Sequence, residues 1–262
     1  MELGLSNRSA VVLASTSGLG LAVARALLEE GARVALSGRD EGRLAAARGE
    51  LARHGERVFL EAVDVTDGAA LRAHLDRAAQ RFGPVQILVT NAGGPPPASA
   101  TEVTDAGLDA AFELTLRSAV RAVEHVLPGM RAARWGRIVG MTSISVRQPI
   151  PTLVYSNVMR SGLTAWFKSL AGEVAADGVL VNTICTGLFK TERLEELFLA
   201  NAAAKGTTPG AEEAEATERI PLRRLGEPRE FGDLVAFLCS ERCSYLNGVA
   251  LAYDGGLDGA LL

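Results

Sequence analysis

The chain has 262 residues, a formal net charge of −4 and a hydrophobic fraction of 48%. A hydrophobic fraction this large excludes an intrinsically disordered protein. The acidic balance lacks the basic surface that a nucleic-acid-binding protein needs, so we expect no nucleic-acid partner.

Targeting and metal-binding signals are both weak in this sequence. No apolar run approaches the length of a membrane span, and the opening residues MELGLSNRSA carry neither a charged nor an apolar leader region. We therefore expect a cytoplasmic protein with no membrane partner. The odd number of cysteines, Cys185, Cys239 and Cys243, argues against a disulfide framework. No nearby His or further Cys completes a metal site, so we predict buried thiols and no metal.

Short β-branched segments alternate with longer amphipathic segments along the whole chain. The predicted strands are 9–14, 33–37, 58–63, 85–89, 137–141, 179–184 and 249–253. The predicted helices are 19–30, 41–53, 69–81, 105–127, 154–175 and 229–239. This order predicts an α/β, doubly wound Rossmann-type fold, in which a seven-stranded parallel sheet is flanked by helices on both faces.

No linker or repeat divides the chain, which predicts a single dinucleotide-binding domain over 1–262. The segment 188–219 is rich in Ala and Glu, and we expect it to be an irregular insert that covers the substrate as a lid. Ligands of such sheets bind outside the carboxyl ends of the strands. The loops that follow the strands are therefore expected to share one crevice.

The first strand runs into a turn of small residues that opens a helix. Backbone N–H groups and the helix dipole at such a turn suit a pyrophosphate, although the turn could equally be a simple connection. The candidate cofactor-binding residues of this turn are Ala14, Ser15, Ser17, Gly18, Leu19 and Gly20.

The second strand ends in the sequence Ser37-Gly38-Arg39-Asp40. A carboxylate at this strand tip would accept a hydrogen bond from a ribose 2′-hydroxyl and repel a 2′-phosphate, whereas Gly38 leaves space and Arg39 offers a planar cation. The pattern favours NADP(H) over NAD(H). The alternative is a surface arginine beside an aspartate that caps the next helix.

With these motifs in place, the chain resembles the short-chain dehydrogenase/reductases, and among them the 3-oxoacyl-carrier-protein reductases. The family's glycine-rich turn matches residues 13–20, with Ala14 where its first glycine usually stands. The resemblance implies further cofactor contacts at an Asp-Val step, an Asn-Ala-Gly motif, a Gly after the sixth strand and a nearby Thr. These residues are Asp64, Val65, Asn91, Ala92, Gly93, Gly187 and Thr191.

The catalytic positions depart from the family pattern. Ser143 matches the family's serine, but ungapped alignment of the downstream residues places Ser156 at the tyrosine and Arg160 at the lysine. Thr115 stands where the family has an asparagine, and Tyr155 lies one residue before the tyrosine position.

Ketone reduction needs a proton donor, and a phenol with a pKa of ~10 beside a fixed cation serves well. A serine hydroxyl is a poorer acid, and adjacent helical residues such as Tyr155 and Ser156 face different directions. Tyr155, Ser156 or a water therefore remain alternative proton donors. We expect Ser143 to polarise the carbonyl and Arg160 to hold the cofactor ribose.

These patterns predict an NADP(H)-dependent oxidoreductase that acts on the carbonyl or alcohol group of a partly apolar small molecule. The alternative is a catalytically impaired nucleotide-binding or assembly protein of the same fold. The long helices 105–127 and 154–175 carry apolar residues on more than one face. Because members of the family pair these helices, we expect a homo-oligomer, specifically a tetramer.

Overall fold

The computed structural model describes residues 2–260. Seven parallel strands form one sheet in the order β3-β2-β1-β4-β5-β6-β7, which confirms the predicted fold class. The strands are β1 Ser9–Val12, β2 Arg33–Gly38, β3 Val58–Ala62, β4 Ile87–Thr90, β5 Gly136–Met141, β6 Val179–Thr186 and β7 Ala250–Tyr253. The strand order reverses direction between β1 and β4, where such folds place their ligands.

Helices cover both faces of this sheet. They are α1 Gly18–Glu29, α2 Glu41–Glu50, α3 Gly68–Phe82, α4 Asp105–Ala111, α5 Ser118–Ala133, α6 Val154–Val174, α7 Glu192–Lys205, α8 Pro209–Arg219 and α9 Pro228–Cys239. Within residues 2–260, none of them is both long enough and apolar enough to cross a membrane.

The central strand β1 shows why the strands are almost wholly apolar. Its Ala10 and Val12 belong to the core that contains residues of α1 and α9, whereas Val11 belongs to the core on the opposite face with residues of α3, α5 and α6. All three are completely buried. Successive side chains of a strand point to opposite faces, so a sheet covered on both faces needs apolar residues at every position.

Two helix predictions need correction. The segment 188–219 is not irregular: α7 and α8 are capped by the side chains of Thr191 and Thr208, and α7 ends at Gly206 in the left-handed conformation. Such capping residues are the usual signals of helix ends. The predicted helix 105–127 is interrupted by a π-helical segment, Phe112–Arg117, so it forms α4 and α5 instead.

The cysteines behave as the sequence predicts. All three are free and buried. Burial raises the pKa of Cys239 to about 12 and also raises the pKa values of Cys185 and Cys243. These thiols therefore pack as small apolar groups.

Ala14, which follows the β1 region, is one of four non-glycine residues among those described that have a positive φ; the others are Asn7, Arg134 and Arg223. Its φ of +46° lies in the left-handed region, although the residue is not a glycine. The left-handed conformation costs an L-residue about 1–2 kcal/mol, whereas glycine adopts it freely. The turn therefore has the shape that a glycine would favour.

We predict that Ala14→Gly stabilises the protein. Relief of strain outweighs the extra chain entropy of glycine, so the free energy of unfolding rises by about 0.5–1 kcal/mol and the melting temperature by roughly 2 °C. The matched control is Ala45→Gly on the exposed face of α2, which lowers the free energy of unfolding by about 1 kcal/mol. Equal destabilisation by both variants in thermal unfolding would contradict the prediction.

Candidate active site

The loops after β1 and β4 meet at the switch point of the sheet. The Asn91 side-chain amide donates to the backbone oxygen of Ala14 at 2.9 Å. Gly20 makes this contact possible, since a Cβ there would lie 2.8 Å from the Ala14 oxygen and 3.0 Å from the Asn91 nitrogen. Gly20 thus allows the Asn91 side chain to approach the Ala14 backbone closely. Ala92 and Gly93 follow Asn91 in the chain.

The first turn of α1 presents backbone N–H groups to the crevice. Ser17 precedes the helix and its side chain makes no capping hydrogen bond. Gly18 has a φ of +55°, and a Cβ there would lie 3.5 Å from the methyl group of Thr191, the residue that caps α7. Leu19 is half-buried behind them. The helix start and Thr191 therefore face each other across a narrow gap.

Ser15 was expected to contact a cofactor, but its side chain has a structural role. Its buried hydroxyl donates to the backbone oxygen of Val12 at 2.6 Å. Its neighbour Thr16 was missed by the sequence analysis. A Cβ on Gly38 would lie 2.6 Å from the Thr16 side chain, so Thr16 packs directly over the end of β2. The sequence signal for this contact was Gly38, which has no side chain and therefore leaves room for Thr16.

The tip of β2 carries an exposed cation. The Arg39 guanidinium lies 3.6 Å from Asp64, and the two side chains are 69% and 40% exposed. Asp40 accepts from the backbone of Arg43 and caps α2, as the alternative interpretation held, yet Arg39 remains at the strand tip. An exposed ion pair of this kind is weak. Arg39 can therefore exchange Asp64 for another anion.

Asp64 is held in its ionised form. Burial alone would raise the pKa of this carboxyl, but hydrogen bonds from the backbone and hydroxyl of Thr66 and the charge of Arg39 bring it below its usual range. Val65 beside it is buried. The carboxylate is thus oriented by its own loop.

Gly187 joins the ends of the last two strands. Its N–H donates to the backbone oxygen of Tyr253 at 3.0 Å, and a Cβ would lie 2.5 Å from the Cα of Asp254. The glycine is needed for this packing, and it directs the chain toward Thr191.

Ser143 has a hydroxyl that is free to donate. It follows β5, and its Oγ accepts from the backbone N–H of Ser145 at 3.1 Å. The side chain is half-buried. Because this bond uses an oxygen lone pair, the hydroxyl hydrogen remains available for a substrate oxygen.

The Arg160 side chain makes its hydrogen bonds to oxygens of the protein. The sequence analysis expected it to hold the cofactor ribose. Its Nη1 donates to the backbone oxygens of Met141 at 2.9 Å and Thr142 at 3.2 Å, and its Nε donates to Ser156 Oγ at 3.2 Å. Burial, aided by the positive charge of Arg193, lowers the pKa of Arg160 to about 10. The guanidinium holds the residues just before Ser143 and orients Ser156.

Tyr155 faces a different part of the molecule. Its hydroxyl accepts from the backbone N–H of Thr104 at 3.0 Å, and its ring lies over Gly107 at the start of α4. The side chain is buried in a small cluster with Ala111 and Met159. These contacts give Tyr155 a packing role and disfavour it as the proton donor that the sequence left open.

A small cavity of about 10 Å³ lies beside Arg160. Two of its lining hydroxyls, Thr90 Oγ1 and Thr115 Oγ1, are buried and have no hydrogen-bond partner among the described residues. A cavity of this size with polar walls has room for about one water. Thr115 lies on the π-helical segment, while Thr90 at the end of β4 was missed by the sequence analysis.

Comparison with known proteins identifies the family of this fold and site. Residues 13–258 match the family described as enoyl-(acyl carrier protein) reductase. A Streptomyces virginiae protein, provisionally assigned as the ketoacyl reductase of the monensin polyketide synthase, is 32% identical over 254 residues, covering 96% of this chain and 97% of that one. The chain belongs to the short-chain dehydrogenase/reductase family.

Two solved structures of this family are closely similar. L-Sorbose reductase from Gluconobacter frateurii, complexed with NADPH and L-sorbose, superposes with a TM-score of 0.94 at 34% identity and full coverage of both chains. An NADPH-bound short-chain oxidoreductase from Pseudomonas aeruginosa PAO1, described as containing an atypical catalytic center, has a TM-score of 0.88 at 34% identity. The coverage is 98% of this chain and 99% of that one.

We predict that Tyr155→Phe weakens folding but not cofactor binding. Loss of the phenol oxygen leaves the Thr104 N–H without its partner, so the free energy of unfolding falls by about 1–3 kcal/mol. Urea unfolding measures this loss, and fluorescence titration with NADPH shows an unchanged dissociation constant. Tyr245→Phe, at a fully exposed tyrosine, is the control and changes neither quantity. Unchanged stability in Tyr155→Phe would refute the structural role of the hydrogen bond to Thr104.

Proposed function

We propose that this short-chain dehydrogenase/reductase is an NADP(H)-dependent oxidoreductase that interconverts a carbonyl and an alcohol on a small, partly apolar molecule. The proposal rests on the cofactor cradle: Gly20 lets Asn91 reach the Ala14 backbone, and Thr191 faces the first turn of α1. This arrangement presents helix N–H groups to a diphosphate. This cofactor-binding arrangement is present although the catalytic positions depart from the family pattern.

The tip of β2 supports NADP(H) over NAD(H). Arg39 is exposed, its pairing with Asp64 is loose, and Gly38 adds no side chain beside it. A ribose 2′-phosphate would find a planar cation there. The sorbose reductase and the Pseudomonas oxidoreductase were both solved with NADPH, and the second combines NADPH with an atypical catalytic center.

When bound, the reduced nicotinamide supplies a hydride to a carbonyl carbon. The carbonyl π pair would move to the oxygen, the oxygen would take a proton from the protein, and the alcohol and the oxidised cofactor would be released. The chain's own residues manage the oxygen. Ser143 would donate a hydrogen bond that polarises the carbonyl, since its hydroxyl hydrogen has no acceptor among residues 2–260.

Ser156 is the proposed proton donor. Its Oγ accepts from Arg160 Nε, which leaves its hydrogen free and places a positive charge next to the oxygen. A neighbouring cation stabilises the anion that remains after proton transfer. Ser156 is still a weaker acid than a phenol. We therefore expect slow turnover on ordinary ketones.

Solvent in the crevice would return the proton to Ser156, which does not line the cavity beside Arg160. We propose that a water fills this cavity. Thr90 and Thr115 offer hydroxyls with no other partner among residues 2–260, and Arg160 lines the same space. Water joined to two or more polar groups is a normal component of such cavities. In this arrangement Thr115 binds the water, and Arg160 positions Ser156 rather than the cofactor ribose.

The helices α7 and α8 are proposed as the substrate cover. Leu194 and Phe198 of α7 pack in an apolar cluster with Ile220 and Leu225, which follow α8. Thr191 joins this unit to the cofactor turn. The cover thus begins next to the nicotinamide end implied by the family resemblance.

A nucleotide-binding protein without turnover is the second candidate. The observation that favours it is the orientation of Arg160 and Tyr155, because the cation contacts backbone oxygens and the phenol contacts α4. Such a protein would keep the cofactor cradle and lose the chemistry. Binding and turnover measurements separate the two candidates.

We predict that NADPH raises the melting temperature more than NADH does. A ligand that binds only the folded state stabilises it according to its affinity. Arg39→Ala weakens NADPH binding by about tenfold or more, because a charge-assisted hydrogen bond to phosphate is lost, and leaves the NADH shift unchanged. Arg48→Ala on exposed α2 is the control. Equal shifts with both cofactors in the wild-type protein would sink the preference for NADP(H).

We predict that Ser156→Ala lowers kcat by about 100-fold or more without changing the dissociation constant of NADPH, since a general acid contributes 10²–10⁴-fold. The assay follows NADPH oxidation over a panel of ketones and aldehydes. Ser169→Ala, which removes an exposed hydroxyl from the same helix, is the control. Full activity in Ser156→Ala would remove Ser156 from the mechanism. Tight NADPH binding without wild-type turnover on any substrate would favour the second candidate.

A further inference from the structure

Arg193 reaches across the mouth of the proposed active site. It is the second residue of α7, and its guanidinium lies over the backbone of Gly94 in the loop that follows β4. A Cβ on Gly94 would lie only 2.0 Å from Arg193 Nη2 and 2.7 Å from Cζ. The side chain therefore occupies the space above Gly94 and bridges the cover to the loop that contains Asn91.

Arg193 lies close to a second cation. Its positive charge contributes to the lowered pKa of Arg160, which lines the cavity beneath the crevice. Two positive charges that influence each other in this way repel, and an anion bound beside them offsets the repulsion. The two side chains together therefore favour the binding of an anion.

No acidic side chain of residues 2–260 supplies this negative charge by pairing with Arg193. The neighbouring acid on α7, Glu192, pairs with Arg43 of α2 at 3.0 Å. Arg147 and Lys190, two other cations at this end of the sheet, pair with Asp258 and Glu227. Arg193, by contrast, has neither an ion pair nor a side-chain hydrogen bond within the described part of the chain. It is also exposed, so a ligand in the crevice can reach it.

We propose that Arg193 is a specificity-determining residue and that the substrate is an anionic carbonyl compound whose carboxylate Arg193 binds. This inference rests on the proposed carbonyl–alcohol chemistry and adds the class of substrate to it. An arginine fork matches the two oxygens of a carboxylate and forms hydrogen bonds about twice as strong as neutral ones. Ser143 and Ser156 would act on the carbonyl while Arg193 fixes the other end of the molecule.

The test compares acids with their neutral esters by binding, so that it does not depend on turnover. Pyruvate and methyl pyruvate, acetoacetate and methyl acetoacetate, and levulinate and methyl levulinate are titrated into the protein with and without saturating NADP⁺, and thermal shift reports their affinities. We expect the acid of at least one pair to bind about tenfold more tightly than its ester. A tenfold preference corresponds to about 1.4 kcal/mol.

Three variants locate the preference. Arg193→Met abolishes it, and Arg193→Lys keeps part of it because the charge remains without the fork. Gly94→Ala also reduces it, since the new methyl group displaces the guanidinium without removing its charge. The matched control is Arg219→Met, which removes an exposed arginine from the far end of α8. It leaves the preference unchanged.

The outcomes separate three cases. Equal affinity for acid and ester in every pair, including no binding of either, overturns the proposal. A tenfold loss of NADPH affinity in Arg193→Met, with the acid preference intact, would assign Arg193 to the cofactor diphosphate and also overturn it. Failure of the wild-type protein to bind NADPH would defeat the proposed oxidoreductase function instead, and the acid–ester comparison without cofactor would still decide the role of Arg193.

Discussion

The contacts of one guanidinium organise the candidate site. Arg160 binds the backbone oxygens at the end of β5 through Nη1 and the hydroxyl of Ser156 through Nε. The first contact fixes the chain immediately before Ser143, and the second fixes a residue on the first turn of α6. A lysine has one charged nitrogen and no fork, so it would not make these contacts in the same directions. In the proposed function, Arg160 therefore positions Ser156 and the chain before Ser143.

The same arrangement gives the adjacent residues Tyr155 and Ser156 different contacts. Tyr155 and Ser156 are adjacent on α6, so they point in directions about 100° apart. Ser156 is directed toward Arg160, and Tyr155 is consequently directed toward Thr104 and Gly107. The phenol joins α6 to α4 and closes a small apolar cluster. The face of α6 that contains Ser156 is therefore the one proposed for the chemistry, and the face that contains Tyr155 packs against α4.

The fold could be predicted from the sequence because its signals are local and repeated. Seven predicted strands alternate with six predicted helices, and this alternation implies right-handed crossovers and a parallel sheet. The segment 188–219 was wrongly predicted to be irregular, although Thr191, Thr208 and Gly206 are ordinary helix-capping residues. These short signals were outweighed by the low apolar content of α8.

The site was predictable only in part. The small-residue turn was recognisable because close backbone approach restricts which residues fit, whereas Asn91 was named through the family resemblance. The direction of Arg160, the unpartnered hydroxyl of Thr90 and the position of Arg193 were not recognisable, since they depend on contacts between residues far apart in sequence. Helical spacing predicts the face of the helix on which a residue lies. It does not predict which distant residue its side chain contacts.

The burial of the three thiols has a practical consequence. Alkylation and disulfide exchange proceed through the thiolate, and the raised pKa values and burial of Cys185, Cys239 and Cys243 suppress that form in the folded chain. Each thiol is exposed only when the structure around it opens. Labelling of cysteines in the native protein therefore reports how often different parts of the molecule unfold, with Cys185 as the internal reporter for β6 and the other two for the neighbourhood of α9.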